Sequence, residues 1–345
     1  PAVRVPLRVM HNDRTIRKFT SSGGTVVYKL PVEAFPNHVT NCYLVLTEPI
    51  TLIDAASGQE ASNASLLDCF ARLRDEFGEN VALSDVKRLI LTHGHIDHFG
   101  GLHFVVENSG AEIGIHELDM SVVRHFNERL VVSTKNLHIF LERAGVGREG
   151  VAKLLDMNKW SKDLFRARPV DFTFDEGPLA GTPFELYHTP GHCPGQVCIR
   201  LDDILFTADH VLSHITPNQS PEFIVRYTGL GHYLSALKKV RAIPGIRVAL
   251  GGHEEAIDDL TMRVDASIAF HDARLEKTLN LCKEPCTVAE VSRDLFGERK
   301  GYHVLLAFLE TGAHMEYLYE RGHLAVVNVD EVDEQYNPVL QYQKQ

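Results

Sequence analysis

The residues from Thr92 to Gly101 read Thr-His-Gly-His-Ile-Asp-His-Phe-Gly-Gly, and they follow an apolar run that is typical of a buried strand. Four potential metal ligands stand within six residues of this stretch: His93, His95, Asp97 and His98. In an extended loop His93 and His95 face the same side, and the next two ligands turn toward a neighbouring point. Imidazole and carboxylate groups suit Zn, Mn or Fe. The stretch therefore predicts a metal site at the end of a strand.

Three later residues extend this candidate site. His192 stands in a turn rich in Pro and Gly, Asp209 follows a predicted strand at 204–206, and His253 follows another at 247–250. Because strand ends in a layered α/β fold gather along one edge, ligands that are distant in sequence can meet in one cleft. The nineteen histidines of the chain also indicate a metal-binding protein, since histidine is the commonest metal ligand.

The order of the predicted elements indicates an α/β fold with added helices. Short strand patterns alternate with helical ones in the first part of the chain. A helical insertion is expected at about 119–168, and Trp160 and Leu164 belong to its apolar pattern. After about residue 271 the pattern is mostly helical and includes a capping box at Thr287. We expect a catalytic domain at 1–270 and a small C-terminal module at 271–345.

The composition of the 345 residues narrows the class of protein. With 44% hydrophobic and 23% charged residues, the chain is typical of a globular protein and not of a disordered one. No stretch approaches the roughly 18 consecutive apolar residues of a membrane span, and six scattered cysteines do not suggest a disulfide scaffold. The net charge of −11 disfavours nucleic acid as a partner. We expect a cytoplasmic protein, a small-molecule substrate, no membrane contact and a homodimer.

These motifs together resemble the metallo-β-lactamase-fold hydrolase superfamily. The His-x-His-x-Asp-His signature, the Thr-Pro-Gly-His turn, the strand-end Asp and the late Gly-His occur in the order that the family shows. The similarity spans roughly residues 38–255 and includes two early strands, one of which ends at Asp54. The C-terminal module resembles the winged-helix-like tail of one subgroup. The resemblance implies an α/β fold, namely an αββα sandwich with a helical insertion and this small module.

The resemblance also implies a site for two divalent metal ions, with Zn favoured and Mn or Fe as alternatives. The implied ligands are His93, His95 and His192 for one ion, Asp97, His98 and His253 for the other, and Asp209 as a bridge between them. Asp54 is similar to the family's carboxylate that orients a histidine ligand, a role for which there is good physical reason.

The charge of such a site suits hydrolysis. Two divalent cations beside Asp97 and Asp209 leave a charge of about +2, which holds a bridging hydroxide because the pKa of the water falls to about 7. Asp97 and Asp209 are therefore the predicted catalytic carboxylates. The predicted reaction is attack of this hydroxide on a small ester, thioester or lactone.

Three other functions are compatible with the same fold. A phosphodiesterase or ribonuclease would use the same dinuclear site, but the net charge of the chain counts against it. An iron-dependent redox protein of the flavin-coupled branch usually has Glu at the position of His95. A noncatalytic binding module would not need the complete set of ligands.

Several residues beside the predicted ligands are assigned other roles. Cys193 stands where the family usually has Thr or Ser, and it is expected to be a small buried filler, with metal contact or redox sensitivity as alternatives. His188, His210 and His214 are expected to have supporting or structural roles. His232 is expected near a substrate loop over the cleft.

Overall fold

The computed structural model describes residues 13–158, 162 and 165–345. Trp160 and Leu164, which belong to the predicted helical insertion, lie outside the described residues.

The described residues contain two large β-sheets and one small one. The first sheet has the order β1 (Arg17–Thr20), β2 (Val26–Phe35), β3 (His38–Val45), β4 (Thr51–Ile53), β5 (Arg88–Leu91), β6 (Glu112–His116) and β7 (Phe172–Phe174). The second sheet comprises β8 (Gly177–Pro178), β9 (Glu185–His188), β10 (Val197–Leu201), β11 (Ile204–Ala208) and β12 (Val248–Gly251), and β12 forms one edge beside β11. Strands β13 (Leu324–Val326) and β14 (Tyr342–Lys344) form an antiparallel pair.

Helices cover the outer faces of the two large sheets. The α-helices of the described residues are α1 (Glu60–Phe77), α2 (Ile96–Phe99), α3 (Leu102–Ser109), α4 (Glu117–Arg124), α5 (Phe126–Arg143), α6 (Arg148–Asn158), α7 (Leu230–Arg241), α8 (Leu260–Leu281), α9 (Val288–Phe296), α10 (Tyr302–Glu320) and α11 (Val329–Glu334). None of them is long and apolar enough to cross a membrane.

Alternating side chains on the strands separate the layers of the fold. Ile90 of β5 and Phe206 of β11 point into one cluster of buried residues, which lies between the two large sheets. Their neighbours Leu89 and Leu205 point the other way, into two further clusters shared with the flanking helices. Because successive side chains of a strand point to opposite faces of the sheet, both faces of β5 and β11 are buried. The predicted αββα sandwich is confirmed.

The strand directions bring the predicted ligands to one edge of the sandwich. Strands β4, β5 and β6 are parallel to one another, and β11 is parallel to β12. The loops after β4, β5 and β6 therefore emerge on one side of the first sheet, and those after β11 and β12 on one side of the second. The two sets of loops meet, since Nε2 of His98, after β5, lies 3.4 Å from Oδ1 of Asp209, after β11. Gly100 and Gly101, the last two residues of the opening motif, allow close backbone packing at this edge. A Cβ at Gly101 would overlap the carbonyl oxygen of Ala55. Backbone contact this close requires glycine.

The helices between β6 and β7 share a core with helices near the C-terminus. Helices α4, α5 and α6 occupy the region predicted as a helical insertion. Phe140 of α5 and Val291 of α9 belong to the same buried cluster as Tyr233 of α7. Helix α8 runs from Leu260 to Leu281 and crosses the predicted boundary at residues 270 and 271. The division into two domains, like the winged-helix assignment, stays a prediction.

Candidate metal centre

The carboxylate of Asp209 lies among the predicted ligands, directly after β11. Its Oδ2 is 3.3 Å from Nε2 of His253, 3.6 Å from Nε2 of His192 and 4.0 Å from Nε2 of His93. Its Oδ1 is 3.4 Å from Nε2 of His98. One carboxylate thus faces four imidazoles from three separate segments of the chain, which is the position that a bridging ligand would need.

His93, His95 and His192 form the first group of candidate ligands. One nitrogen from each ring can be chosen so that all three lie within 4.8 Å of one another. The ring centroids are 4.8 Å apart for His93 and His95 and 4.5 Å apart for His95 and His192. The structure therefore brings together the three histidines that the resemblance implies as ligands of one ion.

The second group contains Asp97, His98 and His253. Oδ2 of Asp97 lies 3.5 Å from Nε2 of His253 and 3.7 Å from Nε2 of His98. The two histidine Nε2 atoms are 3.4 Å apart. These separations place the predicted ligands of the second ion around one point, with Asp209 within reach of both groups.

His38, at the start of β3, is a neighbour of the second group that sequence reasoning missed. Its Nε2 lies 2.7 Å from Oδ2 of Asp97, and its ring centroid is 4.8 Å from that of His253. The side chain of His38 is 29% exposed. A single histidine at the start of a strand has no ligand spacing, so the sequence carried no signal for this contact.

Two of the ligand rings are fixed by Asp54 and Thr92. Oδ2 of Asp54 lies 2.8 Å from Nδ1 of His98, and it also accepts from the hydroxyl of Thr92 at 2.8 Å. Since that hydroxyl has donated its proton, it accepts from Nδ1 of His93 at 3.0 Å. Asp54 makes the contact with a histidine ligand that the resemblance implied.

Backbone carbonyls hold the other two rings that face Asp209. Nδ1 of His253 donates to the carbonyl of Val39 at 2.7 Å, and Nδ1 of His192 donates to the carbonyl of Asn218 at 3.2 Å. Because a carbonyl only accepts, both rings carry the proton on Nδ1 and present the lone pair of Nε2 to the site. Outer hydrogen bonds of this kind are what orient histidine ligands in metal sites.

Unpaired buried atoms support a metal at this position. Nε2 of His93 and Nε2 of His192 are buried, and neither has a hydrogen-bond partner among the described residues. A buried polar atom without a partner costs free energy, and most such atoms in proteins are satisfied. Divalent cations would satisfy both lone pairs at once, so the residues present fit the metal that the motif implied.

Charges in the cluster also suit a cation. Burial and the neighbouring imidazoles lower the pKa of His93 well below its usual value and that of His95 to about 3. Burial alone would raise the pKa of Asp209, but His253 and His98 outweigh it and hold this pKa well below the usual range. His93 and His95 are thus neutral beside an ionised Asp209. Burial lowers the pKa of His98 and His253, but the carboxylate of Asp209 outweighs it and raises both, so the extra proton on these rings would leave when a cation binds. Neutral imidazole beside ionised carboxylate is the donor set of a zinc site.

Asp119, in α4, is a second functional neighbour that the sequence did not reveal. Its carboxylate is fully buried and accepts hydrogen bonds from the backbone N–H of Gly94 at 2.8 Å and of Gly195 at 2.9 Å. It therefore ties the loop of His93 to the turn of His192. An acidic residue in a helical pattern has no distinguishing spacing, so the pairing arises from the tertiary fold.

Cys193 contacts Asp119 as well. Its Sγ lies 3.3 Å from Oδ2 of Asp119. Burial raises the pKa of the Cys193 thiol well above its usual value, and the charge of Asp119 adds to this effect. A protonated thiol that donates to a carboxylate is a structural contact and a poor nucleophile.

The remaining histidines near the site lie as follows. His188 donates from Nε2 to the carbonyl of Pro194 at 2.8 Å. The ring of His210 is buried against Tyr233, with the centroids 5.2 Å apart. His214 lies 3.0 Å from Glu255, and His232 lies 3.2 Å from Glu222. The four histidines thus contact, in this order, a backbone carbonyl, a tyrosine ring and two carboxylates.

Gly252 allows the loop of His253 to pass close to the other ligands. A Cβ at residue 252 would overlap Oδ1 of Asp209 and would lie 2.7 Å from Cε1 of His98. The backbone N–H of Gly252 donates to the carbonyl of Ala208, one residue before Asp209. Glycine is therefore required here for close approach.

Comparison with known proteins agrees with this fold. The sequence model described as "Metallo-beta-lactamase superfamily" matches residues 36–253. The match covers more than half of the chain and includes every predicted ligand. The chain belongs to this superfamily.

Relatives and solved structures extend the similarity beyond the matched region. The chain is 22% identical over 284 residues to the "Probable metallo-hydrolase YqjP" of Bacillus subtilis, an alignment that covers 80% of this chain and 86% of that protein. A metallo-beta-lactamase family protein of Thermus thermophilus has a TM-score of 0.71 and 28% identity, and the alignment covers 92% of this chain and 98% of the other. A beta-lactamase domain protein of Burkholderia ambifaria has a TM-score of 0.72 at 20% identity, over 95% and 94% of the two chains. The shared fold thus includes part of residues 271–345.

Proposed function

We propose that this protein is a dinuclear metal-dependent hydrolase of small esters, thioesters or lactones. The observation that carries the proposal is the convergence on Asp209 of imidazoles whose Nδ1 atoms are held from outside and whose Nε2 atoms face inward. The proposed ligands are His93, His95 and His192 for one ion and Asp97, His98 and His253 for the other, with Asp209 shared.

The chemistry would come from water and not from a side-chain nucleophile. When bound at such a site, two divalent ions lower the pKa of a water toward neutrality and polarise an acyl oxygen. The chain supplies the orientation, because Asp54 and Thr92 hold His98 and His93 in one tautomer. Cys193 is the thiol next to a ligand in sequence, and its protonated state favours this water-based mechanism over covalent catalysis.

An acyl substrate is favoured by charge and by one relative. The net charge of −11 opposes an extended polyanion. The "Hydroxyacylglutathione hydrolase GloC" of Haemophilus influenzae is 29% identical over 115 residues, which covers 33% of this chain and 43% of that protein. Its name describes hydrolysis of a thioester, and we extend this class of reaction to the present chain as part of the proposal.

The test is a substrate panel with metal-loaded protein. Gently purified protein is assayed with small esters, thioesters, lactones and a bis-phosphodiester reporter, beside the Asp209→Asn variant. We expect turnover of at least one acyl class and its loss by orders of magnitude in the variant. Preference for the phosphodiester would replace the proposal by the phosphodiesterase alternative. Elemental analysis of the same preparation tests the preference for Zn over Mn or Fe.

A further inference from the structure

Residues 212–229, which we call the site loop, lie between the metal centre and the helices near the C-terminus. The guanidinium of Arg263 in α8 donates to the carbonyls of Leu212 and Ile215. Glu316 in α10 accepts from the backbone N–H of Glu222 at 2.6 Å. Charged side chains of α8 and α10 therefore bind the backbone of this loop at several points.

One peptide group of the site loop contacts both a C-terminal helix and a candidate metal ligand. The N–H of Gln219 donates to Oε2 of Glu310 in α10 at 2.7 Å. The carbonyl of Asn218, in the same peptide plane, accepts from Nδ1 of His192 at 3.2 Å. Carboxylate, peptide and imidazole thus form one continuous chain of hydrogen bonds that ends at Nε2 of His192.

We propose that Glu310 is a positioning residue for the metal centre, acting on His192 through the peptide between Asn218 and Gln219. This inference rests on the proposed function, because it takes His192 as a ligand. The buried carboxylate polarises the peptide, which strengthens the Asn218 carbonyl as an acceptor and increases the basicity of His192 at Nε2. The arrangement is an extended form of the carboxylate and histidine pairs that tune metal ligands.

The surroundings of Glu310 keep it charged. Its Oε1 lies 2.5 Å from Nη1 of Arg274, and the side chain is only 6% exposed. Burial alone would raise the pKa of Glu310, but Arg274, His314 and His271 outweigh it and lower this pKa below its usual value. An ionised acceptor makes a stronger hydrogen bond to the Gln219 N–H than a neutral one would.

Glu316 provides a matched control in the same helix. It also accepts backbone N–H groups of the site loop, from Glu222 at 2.6 Å and Phe223 at 3.0 Å. The structure shows no hydrogen bond from those two peptides to a candidate metal ligand within residues 13–158, 162 and 165–345. A general loosening of the site loop would affect both variants, whereas the proposed effect is specific to Glu310.

The experiment compares Glu310→Gln with Glu316→Gln by zinc affinity, measured in full-length protein at pH 7.5 by competition with a chromophoric chelator. We expect about tenfold weaker binding of at least one ion in E310Q, and affinity within about twofold of wild type in E316Q. Wild-type affinity in E310Q, or an equal loss in both variants, overturns the proposal.

A second variant and a second measurement keep the test decisive. Glu310→Asp preserves the charge beside Arg274 but withdraws the carboxylate from Gln219, so a folded E310D with wild-type affinity also overturns the proposal. In protein labelled with ¹⁵N-histidine, the Nδ1–H signal of His192 should shift in E310Q and not in E316Q. This shift is measured without metal as well, so a wild-type protein that binds no zinc would refute the proposed function separately.

Discussion

Oδ2 of Asp54 lies 2.8 Å from Nδ1 of His98, while Nε2 of the same ring lies 3.4 Å from Oδ1 of Asp209. Asp54 is buried, and its Oδ1 accepts from the backbone N–H of Thr92 at 2.8 Å. The end of β4 and the end of β5 are thus joined by one carboxylate, which also sets the orientation of a candidate ligand.

Replacing Asp54 with Asn should weaken metal binding without unfolding the protein. An amide has a single accepting oxygen, so it cannot accept the hydrogen bonds of both Thr92 and His98 as the carboxylate does. Loss of such an outer contact typically costs about 10-fold to 100-fold in metal affinity. Chelator competition measures the change, with the exposed Asp68→Asn as the control. Equal affinities in the two variants would contradict the role of Asp54.

The wild-type protein should contain close to two divalent ions per chain, and ligand variants should separate them. Asp97→Ala should lose mainly the ion of the second group, because Asp97 contacts His98 and His253. Asp209→Ala should lose both, since Asp209 faces both groups. Elemental analysis after gel filtration gives the metal content. Unchanged content in Asp209→Ala would show that this residue is not a bridge.

Gly252→Ala should disrupt the centre by steric overlap. The added Cβ would meet Oδ1 of Asp209 and Cε1 of His98. Overpacking of this kind costs about 1–3 kcal/mol in the free energy of unfolding, and we expect reduced metal content as well. The control is Gly147→Ala, where a Cβ has no neighbour within 4 Å. Urea unfolding of both variants measures the difference, and equal stabilities would contradict the prediction.

Glu316→Gln should change the pH dependence of stability. Burial raises the pKa of Glu316 to about 7 and outweighs the hydrogen bonds from Phe223 and Glu222. Between the unfolded value near 4.5 and this pKa, the folded state binds more protons than the unfolded state, so the wild type loses stability as pH rises. The variant lacks this loss. Its free energy of unfolding, relative to that of the wild type, should therefore increase by about 1–3 kcal/mol between pH 4.5 and 8. Urea unfolding at several pH values tests this, and a constant difference would refute it.

The full-length chain should sediment as a dimer and should not bind duplex DNA. Residues 271–330 contain more acidic than basic side chains, which leaves no counterion release to drive phosphate binding. Sedimentation velocity and titration with a labelled duplex at low salt check both expectations. Salt-sensitive binding tighter than about 10 μM would favour the nuclease alternative.

The local part of the site was predictable from the sequence alone. Between Thr92 and Gly101 the ligand residues are close in the chain, so their meeting requires only a strand followed by a tight loop. The later strands were recognisable from their apolar patterns, and known strand-end geometry was enough to predict that His192, Asp209 and His253 lie near the motif. The predictions drawn from net charge and composition likewise required no structure.

The contacts of His38, Asp119 and Glu310 were decided only by the tertiary structure. Each is a single titratable residue without ligand spacing, and its partners are 59, 76 and 91 residues away for the contacts with Asp97, Gly195 and Gln219. Which helix face meets which loop depends on how the whole core packs, as the shared cluster of α5, α7 and α9 shows. Local patterns specify elements and short loops, whereas contacts between distant elements follow from burial of their apolar faces, and no short window of sequence contains that information.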